Sequence, residues 1–480
     1  MLKKVSKYLF TMLLMALMAG CASSSLFSPY PSQMQSVMVK FKGGAPERAY
    51  AALDKKTKSA DASLYLLEKA RLAQIDGNYA LSKETFESAI ALQRQVEEQA
   101  LISATRLAAG SVALVSNDNA LPYRLAPYER ILMHHMQATN YLALGEVESA
   151  LVEVRLAEQV QREAAEKNAD VLEQARSEAR QRQVDLDSGM TQLQARYSSL
   201  MADTDSILSP WQNAYTHYTS AFIYEIAGQK DDAYIDYKRA FELVPSNTYV
   251  LNDVIRLAQE IGRQEDYDNY LALKKLPPDV KEESLPVGRQ LLVVFEQGQV
   301  NAKQETRMDI NTPKGWFSVA LPIYYSYDVP VKLEVYGEGE LLGRAALLMD
   351  ANQLAVRELK NKMPLILARQ LGRVMAKQGL RKKADENFGP GAAFISTVWG
   401  VISEQADRRS WLSLPANAQV LRLNLAEGLS TLSLQVAGTS LRESLILDES
   451  APLQMVRVIE LGHKLYVQSL FPAGLNVEEQ

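Results

Sequence analysis

Hydrophobic positions keep a helical period through the first half of the chain and change to alternation in its last third. In "YTSAFIYEIAGQKDDAYIDYKRAFELVP", Tyr218 to Pro245, Ala221 and Tyr224 share one face of a helix that Gly228 ends. Ala233, Tyr237 and Ala240 share a face of the next helix, which Pro245 stops. Small residues at 221, 233 and 240 let two antiparallel helices approach closely, and the tyrosines fill the gaps between them. Weaker copies surround it: "YLLEKARLAQIDGNYALSKETFESAI" turns at Gly77 and "MQATNYLALGEVESALVEVRLA" at Gly145, with alanine and aromatic positions in step. Glycines 77 and 145 lie 68 residues apart, twice the 34 that separate 228 and 262. The 83 residues from 145 to 228 exceed two repeats by 15, which marks an insertion.

Helix, glycine turn and helix in 34 residues resembles the tetratricopeptide repeat and predicts a solenoid over residues 46–272. In that family the first helix of each pair lines the concave face. By register those positions are Leu64, Leu67 and Arg71; Leu132, His135 and Thr139; Tyr215, Tyr218 and Phe222. Leu67, Arg71, His135, Thr139, Tyr215, Tyr218 and Phe222 are therefore the candidate groove for an extended or helical peptide, because aromatic side chains bury a large area with few rotors. The competing reading packs Tyr215, Tyr218 and Phe222 against the C-terminal domain or the insertion arm. The lysine and asparagine that clamp a C-terminal carboxylate in some members are missing at these positions, which argues against a chaperone-tail receptor. The insertion, 158–212, opens with a charged helix from Glu158 to Gly189. Its thin apolar stripe runs through Val160, Ala164, Val171, Ala175 and Ala179. It is expected to project and turn back near Gly189, either as a solvated arm without a partner or as a coiled-coil arm that pairs with one.

Three prolines and a charge run make 273–288 a linker. Beyond it Val331, Leu333 and Val335 alternate with Lys332 and Glu334, then "GEGE" turns into Leu341 and Leu342. Leu421, Leu423 and Leu425 lead through "AEGLS" to Leu432, Leu434 and Val436, and "LLVVFEQGQV" and "VRVIELGHKLYVQSLF" also fit strand, turn and strand. A helix over 351–378, broken at Pro364, separates these sets. The predicted fold is α + (α+β): an N-terminal α-solenoid with a long helical insertion, then an antiparallel-sheet domain with helices, rich in β-hairpins, over 289–480. In "QADRRSWLSLP", Arg408, Arg409 and Trp411 form a candidate contact loop. The competing reading has an Asp407 to arginine pair that fixes the loop and Trp411 buried in the sheet.

At the start, Lys3, Lys4 and Lys7 precede an apolar core from Tyr8 to Met18, then Ala19, Gly20 and Cys21. This is the layout of a signal peptide over 1–20. Leu17 to Cys21 resembles a bacterial lipobox, with Met18 where leucine is usual, so Cys21 is the expected lipidation site. Residues 21–45, rich in serine and proline, read as a lipidated tether. Ala22, rather than an aspartate, implies the periplasmic face of an outer membrane. Cleavage takes the formal net charge from −5 to −8, which leaves no basic excess for nucleic acid. With one cysteine, no disulfide can form within the chain. The apolar run Ala392 to Ile402 is about half the ~20 residues a membrane span needs and reads as a buried core helix.

Little else points to chemistry. His134 and His135 diverge by about 100° on a helix and cannot share a zinc ion, and His217 and His463 stand apart from them. The chain has no HExxH, phosphate-binding glycine loop or GxSxG. No metal, no cofactor and no enzymatic activity are expected.

"PYRLAPYERILMHHMQATNYLALGEVESALVEVRLAEQ" and "ADRRSWLSLPANAQVLRLNLAEGLSTLSL" are similar to segments of a family of Gram-negative outer-membrane lipoproteins with tetratricopeptide repeats and a C-terminal β-rich domain. The resemblance implies architecture and location and assigns no activity. Such proteins accompany outer-membrane lipoprotein activators of penicillin-binding proteins, which implies cell-wall assembly as the setting. The expected function is a lipid-anchored periplasmic scaffold that binds envelope proteins through the solenoid groove. The alternative is an accessory module that contacts peptidoglycan or lipid through the C-terminal domain, and an envelope hydrolase is a third.

Overall fold

The computed structural model describes residues 28–107, 119, 121–168, 171–182, 184–197, 211–274, 288–312, 315–325, 329–388 and 405–470. Cys21, the signal segment, nearly all of the linker and the apolar run 392–402 lie outside the described residues.

Among the described residues, five helical hairpins build the first half: α1 (Tyr30–Lys42) with α2 (Pro46–Asp54), α3 (Ala62–Ile75) with α4 (Tyr79–Leu107), α5 (Pro127–Ala143) with α6 (Val147–Asn168), α9 (Ala214–Ile226) with α10 (Lys230–Leu243), and α11 (Thr248–Glu260) with α12 (Gln264–Leu273). Between α6 and α9 lie α7 (Val171–Gln181) and α8 (Leu186–Tyr197). Every hairpin turns on a glycine with φ between +74° and +80°, at 44, 77, 145, 228 and 262. A side chain there would meet the following carbonyl, so glycine punctuates the repeat. Two hairpins share a further device. His134 Nδ1 meets Glu153 at 2.6 Å and His217 Nδ1 meets Asp236 at 3.1 Å, each linking the first helix to the second across 19 residues.

The tether expected over 21–45 is corrected, because α1 occupies most of its described part. Tyr30, Met34, Val37, Met38 and Phe41 face the core at helical spacing. Pro31 sits in the first turn, where its missing N–H has no partner to lose.

The insertion is also corrected. It is not one helix reaching Gly189: that glycine lies inside α8, where a Cβ would come within 3.2 Å of Leu367. The arm does not stand free. Val171, Ala175 and Ala179 are buried, and α7 and α8 pack on α13 (Ala351–Phe388), whose Arg369 holds Glu178 through two nitrogens at 2.7 to 3.2 Å. Pro364 does not break α13. Met363, Leu367, Ala368 and Leu371 are buried around it, and this packing offsets the lost backbone bond.

Beyond the linker, β1 (Gln290–Gln297), β6 (Ala346–Asp350), β7 (Asn417–Asn424), β10 (Leu453–Leu461) and β11 (Lys464–Ser469) form a five-stranded sheet in the order β11-β10-β1-β7-β6. The sheet is mixed rather than antiparallel, since β1 and β10 run parallel. β4 (Leu333–Gly337), β5 (Glu340–Arg344), β8 (Thr431–Val436) and β9 (Arg442–Ile446) form a four-stranded sheet, and β2 (Gln304–Thr312) pairs with β3 (Gly315–Ile323). The "GEGE" and terminal hairpins form as predicted. The strands joined by "AEGLS" do not pair with each other: β7 belongs to the larger sheet and β8 to the smaller. Nor does "LLVVFEQGQV" make a hairpin, because β1 takes β10 and β7 as its neighbours.

Alternation along β1 explains the layering. Leu291, Val293 and Phe295 enter the core between the two sheets, while Leu292 and Val294 join the core shared with the helices. At its central strand β1 the large sheet is therefore covered on both faces, one of them by the solenoid.

Candidate functional site

All seven residues of the expected groove are buried: Leu67, Arg71, His135, Thr139, Tyr215, Tyr218 and Phe222. The groove is sealed, and the chain itself fills it. Two parts of the C-terminal half do so: the inner face of the large sheet and the segment 405–415.

The sheet contributes three charged side chains. Arg71 Nη2 on α3 donates to Glu296 Oε2 of β1, and Tyr215 OH on α9 donates to Oε1 at 2.7 Å. Arg457 of β10 donates to Gln468 at 2.9 Å and reaches the Gln74 carbonyl at 3.4 Å. Burial alone would raise the Glu296 carboxyl, but Arg71, Arg457 and the Tyr215 hydroxyl hold it down at about 2. Arg422 of β7 donates to Asp253 at 2.8 Å, and Tyr218 OH donates to the other oxygen of that carboxylate at 2.6 Å. His135 stacks obliquely on Tyr215 at 4.2 Å, and burial, with the two nearby arginines, pushes it down to about 3 despite Glu296. It is a neutral packing group at physiological pH.

The segment 405–415 has no regular secondary structure and turns at Leu412 and Ser413. Trp411 N–H donates to Glu129 at 2.8 Å, and the Leu412 and Ser413 N–H groups donate to the two oxygens of Glu68 at 2.8 and 2.9 Å. Trp411 is fully buried and meets Phe86 edge-on at 5.8 Å. Arg409 donates to Asp61 at 2.6 Å, to Asp407 at 2.8 Å and to the Leu121 carbonyl at 2.8 Å, and lies over the Tyr123 ring. The Asp407 to arginine pair is present, whereas Trp411 is buried in the solenoid rather than in the sheet. Arg408 is half-buried and takes no part in these contacts. The residues that grip the segment, Asp61, Glu68 and Glu129, escaped sequence reasoning. Glu68 offered one signal: it stands four residues after Leu64 and three before Arg71, on the helix face assigned to the groove.

Glu68 makes the interface sensitive to pH. Burial pushes its carboxyl up to about 7, against the hydrogen bonds from Ser413, Leu412 and Tyr30. Between pH 4.5 and 7 the folded chain holds a proton that the unfolded chain releases, so this group's contribution is complete below pH 4.5 and is lost as pH rises through 7. The difference is about 3 kcal/mol at 1.36 kcal/mol per unit. Glu68→Gln removes that slope, and denaturant unfolding of both chains from pH 4.5 to 7.5 measures it. Parallel profiles would contradict the assignment.

Among the described residues, no group of three or more histidine, cysteine or acidic side chains could hold a metal ion, and no helix is long and apolar enough to cross a membrane.

No family model matches the chain, and neither does any curated protein. Among solved structures, MamA is 11% identical over 49% of this chain and 89% of its own, with a TM-score of 0.28. A kinesin light chain of Podosopora anserina with nearly identical TPR-like repeats is 16% identical over 51% of this chain and 92% of its own, with a TM-score of 0.29. The TPR2AB domain of yeast Sti1, solved in complex with pHSP90, is 12% identical over 51% and 88%, with a TM-score of 0.19. With scores this low, the assignment of a tetratricopeptide-like region rests on the chain's own hairpins and left-handed glycines.

Proposed function

We propose that the chain is a non-enzymatic, lipid-anchored scaffold of the Gram-negative envelope, tethered through Cys21, that binds another envelope protein through its outer surface. The solenoid groove is not that surface, because residues 405–415 and the large sheet occupy it. The observation that carries the reading is Trp316, 69% exposed, while the aromatic residues of the groove are sealed. It stands directly opposite Asn311 on the β2–β3 hairpin. The hairpin is fixed to the insertion arm: Gln192 Nε2 donates to the Asn311 carbonyl at 2.9 Å and Asn311 N–H donates back to Gln192 Oε1 at 2.9 Å. A tryptophan held out on a rigid support loses little freedom on docking, and tryptophan is the residue type most enriched among interface hot spots. The lipobox-like segment, and the resemblance to envelope lipoproteins that points to cell-wall assembly, support the location.

The test is photo-crosslinking from position 316 in the full lipidated chain in its own membrane, with adducts identified by mass spectrometry. The expected result is one recurrent envelope protein, and Trp316→Ala weakens its capture without unfolding the chain. A folded, membrane-bound chain that yields no adduct from 316 would remove this surface from the account.

A further inference from the structure

We propose that the outer face of the four-stranded sheet is a binding site for an uncharged glycan, a chain of hydroxylated or N-acetylated pyranose units. The proposal is independent of the scaffold reading and rests on a different surface. A cavity of about 590 Å³ lies on this face, between the β4–β5 turn and the β7–β8 turn.

Strand alternation decides what lines it. Leu333, Val335, Leu432, Leu434, Val436 and Leu445 point into the core between the sheets, so the residues between them point outward. Register places Tyr336 opposite Ser433, Ser433 opposite Ser444, and Gln435 between Glu334 and Arg442. The floor is thus made of hydroxyl groups, one amide and one aromatic ring. Hydroxyls and amides both donate and accept, which matches the surface of a sugar, and an aromatic ring offers its face to the apolar side of a pyranose. Two charged side chains line the cavity, Glu338 and Arg442, and their opposite signs leave it without net charge. A phosphate-rich or strongly anionic ligand finds no complement there.

The ring is already fixed for contact. Tyr336 OH donates to Glu334 at 2.8 Å, and Arg344 holds the same carboxylate at 2.7 Å. Arg442 donates to the Gln435 carbonyl oxygen at 2.8 Å, which orients the amide. Ser433 Oγ is buried at the floor and makes no hydrogen bond within the chain. Buried hydroxyls are ordinarily paired, so a rotation of the Ser433 side chain that brings Oγ to the cavity surface, where a ligand hydroxyl can meet it, breaks no bond within the chain. The volume lies within the range of small-molecule sites, about 300–1,000 Å³.

The experiment is isothermal titration of the full chain with the tetramer of N-acetylglucosamine, alongside co-sedimentation with purified peptidoglycan sacculi. Saturable binding is expected, and Tyr336→Ala weakens it about tenfold, equivalent to about 1.4 kcal/mol. Ser433→Ala is the second variant, since it removes the unpaired hydroxyl and leaves the ring in place. Binding of the tetramer supports a site for short oligosaccharides. Sedimentation with sacculi alone, lost in Tyr336→Ala, supports a site for the polymer. Absence of both, or a folded Tyr336→Ala chain that binds as well as the parent, overturns the proposal. Neither outcome bears on crosslinking from position 316.

Discussion

Glu296→Ala lowers the unfolding free energy by about 3–5 kcal/mol, the range for breaking a buried ion pair by removing one partner. The magnitude follows from what remains. Glu296 is the anion that Arg71 and the Tyr215 hydroxyl bond directly and that the nearby Arg457 charge also favours, and side-chain exposure is 1% for Arg71 and 0% for Glu296. Removing the carboxylate leaves two guanidinium groups close together, out of water and without their shared counter-ion. The loss is much smaller when Arg71→Met accompanies Glu296→Leu, because apolar groups of similar size can replace a buried pair at little net cost. Denaturant unfolding of the single and double variants checks both statements. The same pair sets the acid limit. The folded Glu296 carboxyl lies near 2 against an ordinary 4.5, so its stabilisation is complete above pH 4.5 and is lost as pH falls toward 2.

Trp411→Ala has a similar expected cost, about 3–5 kcal/mol, the range for truncating a large aromatic residue in a core. Its effect is also local. Trp411 is the anchor of the segment 405–415, and its ring fills the space beside Phe86 in the solenoid. Without it the segment is held only by polar contacts, the backbone N–H bonds at 411, 412 and 413 to Glu129 and Glu68 and the Arg409 bonds to Asp61 and Leu121 among them. A double-mutant cycle with Phe86→Ala isolates the ring contact, with an expected coupling of about 0.5–1.5 kcal/mol. A surface role for Trp411 would instead leave stability unchanged within about 0.5 kcal/mol.

The solenoid was legible because its signals are local. The glycine turns and the alanine and aromatic positions lie within one helical hairpin, and the spacing of 34 carries them along the chain. Helix α1 was not, since Pro29 and Pro31 in a serine-rich stretch read as a break, although Met34, Val37, Met38 and Phe41 hold helical spacing. Gly189 read as a turn and is instead the point where α8 and α13 approach closely. That the chain itself fills the groove stood as one of two readings at Tyr215, Tyr218 and Phe222, but the residues that fill it were illegible for a different reason: Arg71 and Glu296 are 225 residues apart, and Asp61 and Arg409 are 348 apart. One hint was present. The unbroken apolar run Leu291 to Phe295 does not alternate, as a strand with one wet face would, so both faces of β1 required cover. The parallel pairing of β1 with β10 joins segments far apart in the chain, and no turn chemistry announces it. Trp316 was equally silent, because exposure is a property of the packed surface and not of the sequence around it.

The chain's own segment 405–415 closes the solenoid groove together with the inner face of the large sheet. Hydrogen exchange of the full native chain, followed by mass spectrometry of peptides covering these residues, tests it most directly. The N–H groups of Trp411, Leu412 and Ser413 end on buried carboxylates, so the segment is predicted to exchange as slowly as the central strand β1. Rapid exchange there, together with exposure of α3, would mean that the groove stands open and would contradict the account.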